Sequence, residues 1–375
     1  MLVTILLFLL VLGVLVFVHE LGHFLAAKRA GLTVFEFGFG FPPRIAGIKR
    51  GNTIYSINWI PVGGFVKIKG ETGPETGELD SFVSLSALRR TGILLAGVGM
   101  NVLLAIVLLG FAYSYGAPAA LDESLPPDAV VRDVRVQILS VEDPSPAAEA
   151  GIRPGDRIIS ISGDLVDDVE DVQQSNAIRG ETATTVSLER ADQTLTVEVT
   201  PRVLENAGEK PVWGVTLAKV GLVSFPWYRA TWLGVQQAVT LLWLIVVSFY
   251  DLLKNLLIHQ QISADIAGPV GIAALTGQVA NLGVLYLIQF TALLSLNLAL
   301  VNALPFPALD GGRVLFVIIE KFRGRKVSAK VETIIHNIGF ALLLLLVLVV
   351  TLRDVNRLTG GILHLFQRLI GNGGG

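Results

Sequence analysis

Five stretches of this chain, residues 1–18, 91–121, 230–250, 266–309 and 333–352, contain no Asp, Glu, Lys or Arg. Each is at least as long as the ~18 apolar, uncharged residues that mark a candidate membrane span. Only 16% of the 375 residues are charged and 52% are hydrophobic, whereas a soluble domain carries about 25% charged residues. The clustering therefore excludes a disordered chain and an ordinary soluble enzyme, and it predicts a polytopic, α-helical membrane protein.

The formal net charge of −2 hides a division. Residues 122–210 hold 19 acidic and 8 basic side chains, a net of −11, which leaves +9 on the remainder. An acidic, soluble-looking insert thus interrupts a basic, membrane-embedded frame, and nothing supports a nucleic-acid partner. The chain has no Cys, which excludes disulfides, thiolate nucleophiles and Cys-type zinc sites. No basic residue precedes the first apolar run and no small-residue cleavage site ends it, so it reads as a retained helix rather than a signal peptide.

Basic residues gather in 28–90, with nine against five acidic, and in 321–330, with five and none acidic. The positive-inside rule puts both on the cytoplasmic face. A first helix then runs inward, a second (about 91–116) returns, and the acidic domain lies outside. A third helix covers about 284–308 and is carried with its Asn/Pro/Asp-Gly-Gly end to 312, reaching the cytoplasmic face ahead of the basic segment, and a fourth covers about 333–352. By parity, segment 231–257 starts and ends outside, and its Gln236, Gln237, Asp251 and Lys254 suit an interfacial or re-entrant helix. A fifth full span is the competing reading of that segment. About four spans are therefore expected, within three parts: 1–121, 122–220 and 221–375. After the first helix, Phe35, Phe37, Phe39 and Phe41 alternate with period two, and 53–68 reads as a Gly-broken strand or hairpin.

The chemistry begins at His19-Glu20-Leu21-Gly22-His23. Histidines four apart share one helix face, so both imidazoles can bind one zinc ion. Glu20 stays within reach of a water at the metal's open position, as general base. A carboxylate inside an apolar helix costs ~2.5–3.5 kcal/mol to insert, which makes it a functional candidate. A third ligand is required. Asp310 terminates the uncharged run 266–309, is followed by Gly311-Gly312, which permit close backbone approach, and is assigned by parity to the same membrane face as the two histidines. The remaining histidines, His259, His336 and His364, are weaker candidates. Pro305 and Pro307 cannot continue a regular helix, so backbone groups are freed beside Asn297 and Asn302. These amides can face substrate or, chiefly Asn297, join helices.

The combination of His-Glu-x-x-His on a first transmembrane helix with Asn302-Ala303-Leu304-Pro305-Phe306-Pro307-Ala308-Leu309-Asp310-Gly311-Gly312 resembles the site-2 protease family of intramembrane zinc metalloproteases. Gly38-Phe39-Gly40, the 53–68 segment and Gly268-Pro269-Val270-Gly271-Ile272 extend the likeness across most of the chain. The resemblance implies Zn2+ held by His19, His23 and Asp310, with Glu20 as general base and Asn302 touching substrate. It also implies cleavage within transmembrane segments of other proteins in the bacterial cytoplasmic membrane, the active site lying towards the cytoplasm. The nearest likeness is to bacterial regulator-of-sigma-factor proteases, whose substrates are anti-sigma factors or remnant signal peptides.

The insert adds to this. Ser145 to Gly163, with turn residues Gly151, Pro154 and Gly155 before Ile158, Ile159 and Ile161, looks like the core of an α+β PDZ domain. PDZ domains bind extended peptides by strand addition, so this one, which is expected to be extracytoplasmic, can contact outer ends of substrates. Trp213-Gly214-Val215 looks like a strand bordering its groove. The alternative to a protease is a membrane PDZ adaptor whose metal site is only structural.

Overall fold

The computed structural model describes residues 2–71, 78–121, 126, 128–190, 193–204, 211–255, 258, 267–325 and 327–358. His259 and His364 fall outside the described residues. The chain divides into two compact units, one formed by the described residues of 1–109, 234–279 and 290–375, the other by those of 110–233 and 280–289.

In the first unit, α1 (Leu2–Arg29) leads into β1 (Val34–Arg50) and β2 (Thr53–Ile68). Residues 34–41 pair on one side with 60–68 and on the other with 53–58, which pair in turn with 44–50. The two long strands therefore fold into four short antiparallel ones. Gly40 and Gly63, with φ of +79° and +94°, supply the bends that such a fold-back needs. Glu36 is buried inside this sheet, where it accepts hydrogen bonds from Ser56 and Arg44, each at 2.7 Å. α2 (Ala87–Tyr115) packs on α1, and Phe24, Val34, Phe37, Ile68, Ile93 and Leu94 form the shared core.

The second unit takes the end of α2 and continues through β3 (Ala117–Ala120), β4 (Val130–Val141), α3 (Pro146–Glu149), β5 (Arg157–Ile161), β6 (Asp164–Leu165) and α4 (Val169–Arg179). β7 (Thr184–Arg190), β8 (Gln193–Val199), β9 (Arg202–Val203), β10 (Pro211–Val212) and β11 (Val215–Ser224) complete it. The main sheet has the order β3-β11-β4-β5-β7-β8, with β6 paired to β5. Val136, Ile138, Ile158, Ile161, Leu188 and Trp213 fill its core, as the alternating apolar positions of these strands predict. The unit is wider than the expected 122–220, because the ends of the neighbouring helices join it.

α5 (Trp227–Lys254) is one unbroken helix of 28 residues, which does not fit a re-entrant form. By length and composition five helices could cross a membrane: α1, α2, α5, α7 (Val284–Ala303) and residues 330–356 of α9 (Ala329–Leu358). Ahead of α7 lies α6 (Pro269–Leu282). Asp354 of α9 accepts the backbone N–H groups of Gly268 and Gly271 at 3.2 and 2.7 Å, capping α6 from another helix.

The expected single helix over 284–312 is two. α7 stops at Ala303, and α8 (Asp310–Arg323) starts at Asp310. Pro305 and Pro307 lack the N–H and clash with the preceding turn, so 304–309 is a loop.

Candidate metal centre

All of the site lies in the first unit. His19 and His23 occupy successive turns of α1, and Asp310 opens α8. Nε2 of His19 is 3.0 Å from Asp310 Oδ2, Nε2 of His23 is 3.3 Å from the same oxygen, and the two nitrogens are 3.2 Å apart. Both histidines are buried. This is the one group of three metal-ligating side chains among the described residues.

The separations test whether a metal fits. A tetrahedral zinc ion with bonds of ~2.0–2.2 Å spaces its ligand atoms about 3.3 Å apart, the spacing observed. Protonation gives the same answer. His23 Nδ1 lies 2.9 Å from the carbonyl oxygen of Ile93, and only an N–H can hydrogen-bond there. In the neutral imidazole its Nε2 is then a bare lone pair. Asn101 of α2, fully buried, lies 3.4 Å from His19 Nδ1, while its own Oδ1 has no partner. Turning the carboxamide over, a choice of orientation and not of shape, lets Oδ1 accept the His19 Nδ1–H and satisfies both groups. With both imidazoles neutral, two lone pairs and a carboxylate oxygen converge on one point, an arrangement that fits a divalent cation.

Small residues make this convergence possible. A Cβ on Gly97 would lie 2.5 Å from His23 Nε2 and 2.8 Å from His19 Cε1, and one on Gly22 would lie 2.4 Å from the Ala96 carbonyl oxygen. α1 and α2 therefore meet backbone to backbone at the histidines, as small-residue helix pairs do in membranes. Beside Asp310, a Cβ on Gly311 would be 2.3 Å from the carbonyl oxygens of Ala303 and Leu304, and one on Gly312 would be 2.2 Å from that of Phe306. The close approach expected of Gly311-Gly312 is thus present.

Glu20 lies on α1 between the histidines, with its side chain against Gly64 of β2 and close enough to His19, His23, Asp310 and Glu71 to interact electrostatically with each. Asn302 is half-buried near the end of α7, and its amide forms no hydrogen bond among the described residues. Asn297 instead donates to the Leu293 carbonyl one turn back, at 3.0 Å. His336 is not brought to the histidine pair. Its Nδ1 accepts the N–H of Ala308 at 2.8 Å, and Ala308 holds a left-handed φ of +79°, so His336 braces the loop that delivers Asp310. Asn101, Gly97 and the Ile93 carbonyl were not identified from sequence. A lone amide inside the uncharged run 91–121 was the one signal that could have found them.

Comparisons with known proteins bear on the family of the chain. The model of Peptidase family M50 matches residues 7–346. The regulator of sigma-W protease RasP of Bacillus subtilis is 32% identical, over 95% of this chain and 99% of its own length. The zinc metalloprotease RasP of Geobacillus kaustophilus is 30% identical, over 93% and 97%. The Clostridium perfringens protein CPE1693 is 33% identical, over 92% and 97%. A solved PDZ domain of the SdrC-like protein of Listeria monocytogenes shares 20% identity over 25% of this chain with a TM-score of 0.20, too slight a likeness to add to the PDZ signature in the sequence. With its family model covering almost the whole chain and relatives aligned end to end, the chain belongs to Peptidase family M50, the site-2 protease family.

Proposed function

We propose that this chain is a zinc metalloprotease of the bacterial cytoplasmic membrane that cleaves transmembrane segments of single-pass proteins. In this reading His19, His23 and Asp310 hold the ion. The observation that carries it is the set of ligand-atom separations, 3.0, 3.2 and 3.3 Å, which matches the spacing of ligands around a tetrahedral zinc ion. Zinc at that point supplies Lewis acidity and lowers the pKa of water towards ~7.

The chain's own residues perform the remaining work. Glu20 takes a proton from the attacking water and passes one to the departing amine. Asn302, whose amide forms no hydrogen bond among the described residues, holds the substrate backbone, while Asn297 acts through its own helix. The scissile carbonyl of a helical substrate is locked in internal hydrogen bonds, so the segment must be extended first. The strand at 60–68, beside Glu20, offers main-chain groups to an extended partner.

Sidedness follows from charge. The basic segments 28–90 and 321–330 face the cytoplasm, and the acidic sheet unit, read as a PDZ domain, faces outward, where it contacts the outer ends of substrates. Substrates of the anti-sigma-factor or remnant-signal-peptide type fit this arrangement. Four spans with α5 in the interface satisfy the parity of these faces. The relative named a regulator of sigma-W protease supports regulated intramembrane proteolysis as the process.

The test is Glu20→Gln in the full chain. Zinc content should stay at one per chain while cleavage of a reporter transmembrane substrate is lost. Full activity in that variant would overturn the assignment.

A further inference from the structure

α8 is apolar on both sides. Its protein-facing side seats Val317 and Val314 in the core and also buries charge: Glu320 pairs with Arg90 of α2 at 2.7 Å, with both side chains about nine-tenths buried, and Arg313 pairs with Glu71. Its outward side is apolar. Leu315, Ile318 and Phe322, at i, i+3 and i+7, form one stripe and are 39%, 43% and 86% exposed. Lys321 and Arg323 are exposed on either flank of that stripe, and exposed Arg325 follows the helix end.

At 14 residues and 1.5 Å per residue, α8 is about 21 Å long, too short to cross the ~30 Å hydrocarbon core. An apolar stripe bordered by basic residues on a short helix is the pattern of a helix lying in a bilayer interface, with cationic side chains reaching up to the headgroups. Charge fixes the lipid type, because clustered Lys and Arg at a membrane surface favour anionic headgroups.

We propose that α8 is a lipid-binding element, seated with Leu315, Ile318 and Phe322 among acyl chains and with Lys321, Arg323 and Arg325 on anionic headgroups. Asp310 is the first residue of α8 and its next two residues are clamped under the 303–306 carbonyls. The lipid seat therefore holds the free end of the helix that carries Asp310. The proposal stands apart from the protease reading and is tested without catalysis.

The chain has no Cys, so single spin labels can be placed cleanly on the full-length protein. Ile318→Cys and Phe322→Cys are labelled in vesicles of phosphatidylcholine with phosphatidylglycerol and in vesicles of phosphatidylcholine alone. Leu345→Cys on α9 serves as the lipid reference and Thr216→Cys on β11 as the aqueous one. In anionic vesicles both α8 labels should lose collisional broadening by a water-soluble nickel chelate, as the Leu345→Cys label does. Shielding should weaken in neutral vesicles and in the combined variant Lys321→Gln, Arg323→Gln, Arg325→Gln. Nickel access equal to that at Thr216→Cys overturns the proposal and leaves the stripe to a protein partner. Shielding that ignores both lipid charge and the triple variant overturns the headgroup assignment.

Discussion

Asn101 faces the ring nitrogen of His19 that is turned away from Asp310, at 3.4 Å, and its own backbone carbonyl accepts the Ser295 hydroxyl of α7 at 2.8 Å. One buried residue of α2 thus links a proposed zinc ligand on α1 to the helix that leads to the third ligand. Its side chain decides which nitrogen of His19 is bare. Groups that orient metal-bound histidines in this way are typically worth ~10–100-fold in metal affinity. Asn101→Leu should weaken zinc binding by about that factor, whereas Asn101→Asp, which keeps an acceptor, should bind nearly as well as the parent. Competition against a chromophoric chelator measures both, and equal affinity for the leucine variant would remove Asn101 from the site.

Two glycines two residues apart, on nearly opposite faces of α2, give a matched pair. Gly97 has His23 and His19, the proposed zinc ligands, 2.5–2.9 Å from where its Cβ would be, whereas a Cβ on Gly99 meets nothing within 4 Å. Gly97→Ala must push α1 from α2 or turn the imidazoles, and zinc affinity should drop by at least about tenfold. Gly99→Ala should leave zinc binding unchanged and stabilise α2 by about 0.5–1 kcal/mol, because alanine loses less backbone entropy in a helix. Zinc stoichiometry and thermal unfolding in detergent separate the two outcomes.

That contrast also shows how far the residues could be read in advance. The charge-free runs located α1, α2, α7 and α9, since hydrocarbon demands uncharged length. His19, His23 and Asp310 were legible because their chemistry is rare in such runs. Gly97 and Asn101 were not, because a glycine or an amide in an apolar helix is compatible with lipid, with packing or with a metal site. What separates these is the neighbouring helix, which one-dimensional periodicity does not contain. His336 was considered as a ligand and turns out to brace Ala308, a role set by a loop conformation that no spacing rule encodes. The break between α7 and α8 was half visible, in Pro305 and Pro307, but the helix was still carried through to 312.

Asp354 tests a second helix junction. It is 8% exposed and caps α6 by accepting from Gly268 and Gly271. Asp354→Ala leaves two donors with no partner, and a buried orphan costs about 1–3 kcal/mol, so unfolding should become easier by about 2 kcal/mol or more. Asp354→Asn retains one acceptor but loses the charge that favours a helix N-terminus, and should fall between. Denaturant unfolding in mixed micelles reads the order. An asparagine variant as destabilised as the alanine one would mean that charge, not capping, is what matters.

In the sheet unit, Asp168 caps the N-terminus of α4 and pairs with Lys219 of β11. The Lys219 ammonium, joined by the Val169 N–H, holds the Asp168 carboxyl down to about 2, against ~3.9 for an unperturbed Asp. A carboxyl depressed on folding contributes stability above its unfolded pKa and loses it as pH falls through the folded one. The same pairing pushes the Lys219 ammonium up, so its contribution is complete below ~10.4 and fades above. The α4–β11 junction should therefore be indifferent to pH between about 5 and about 9, and loosen in acid, below about 4, and in alkali, above about 10. Carbon-detected titration of Asp168 should give a midpoint near 2 in the parent chain. In Lys219→Met the midpoint should move up towards ~3.9. An unmoved midpoint would mean that the α4 N-terminus, and not Lys219, sets the charge of this cap.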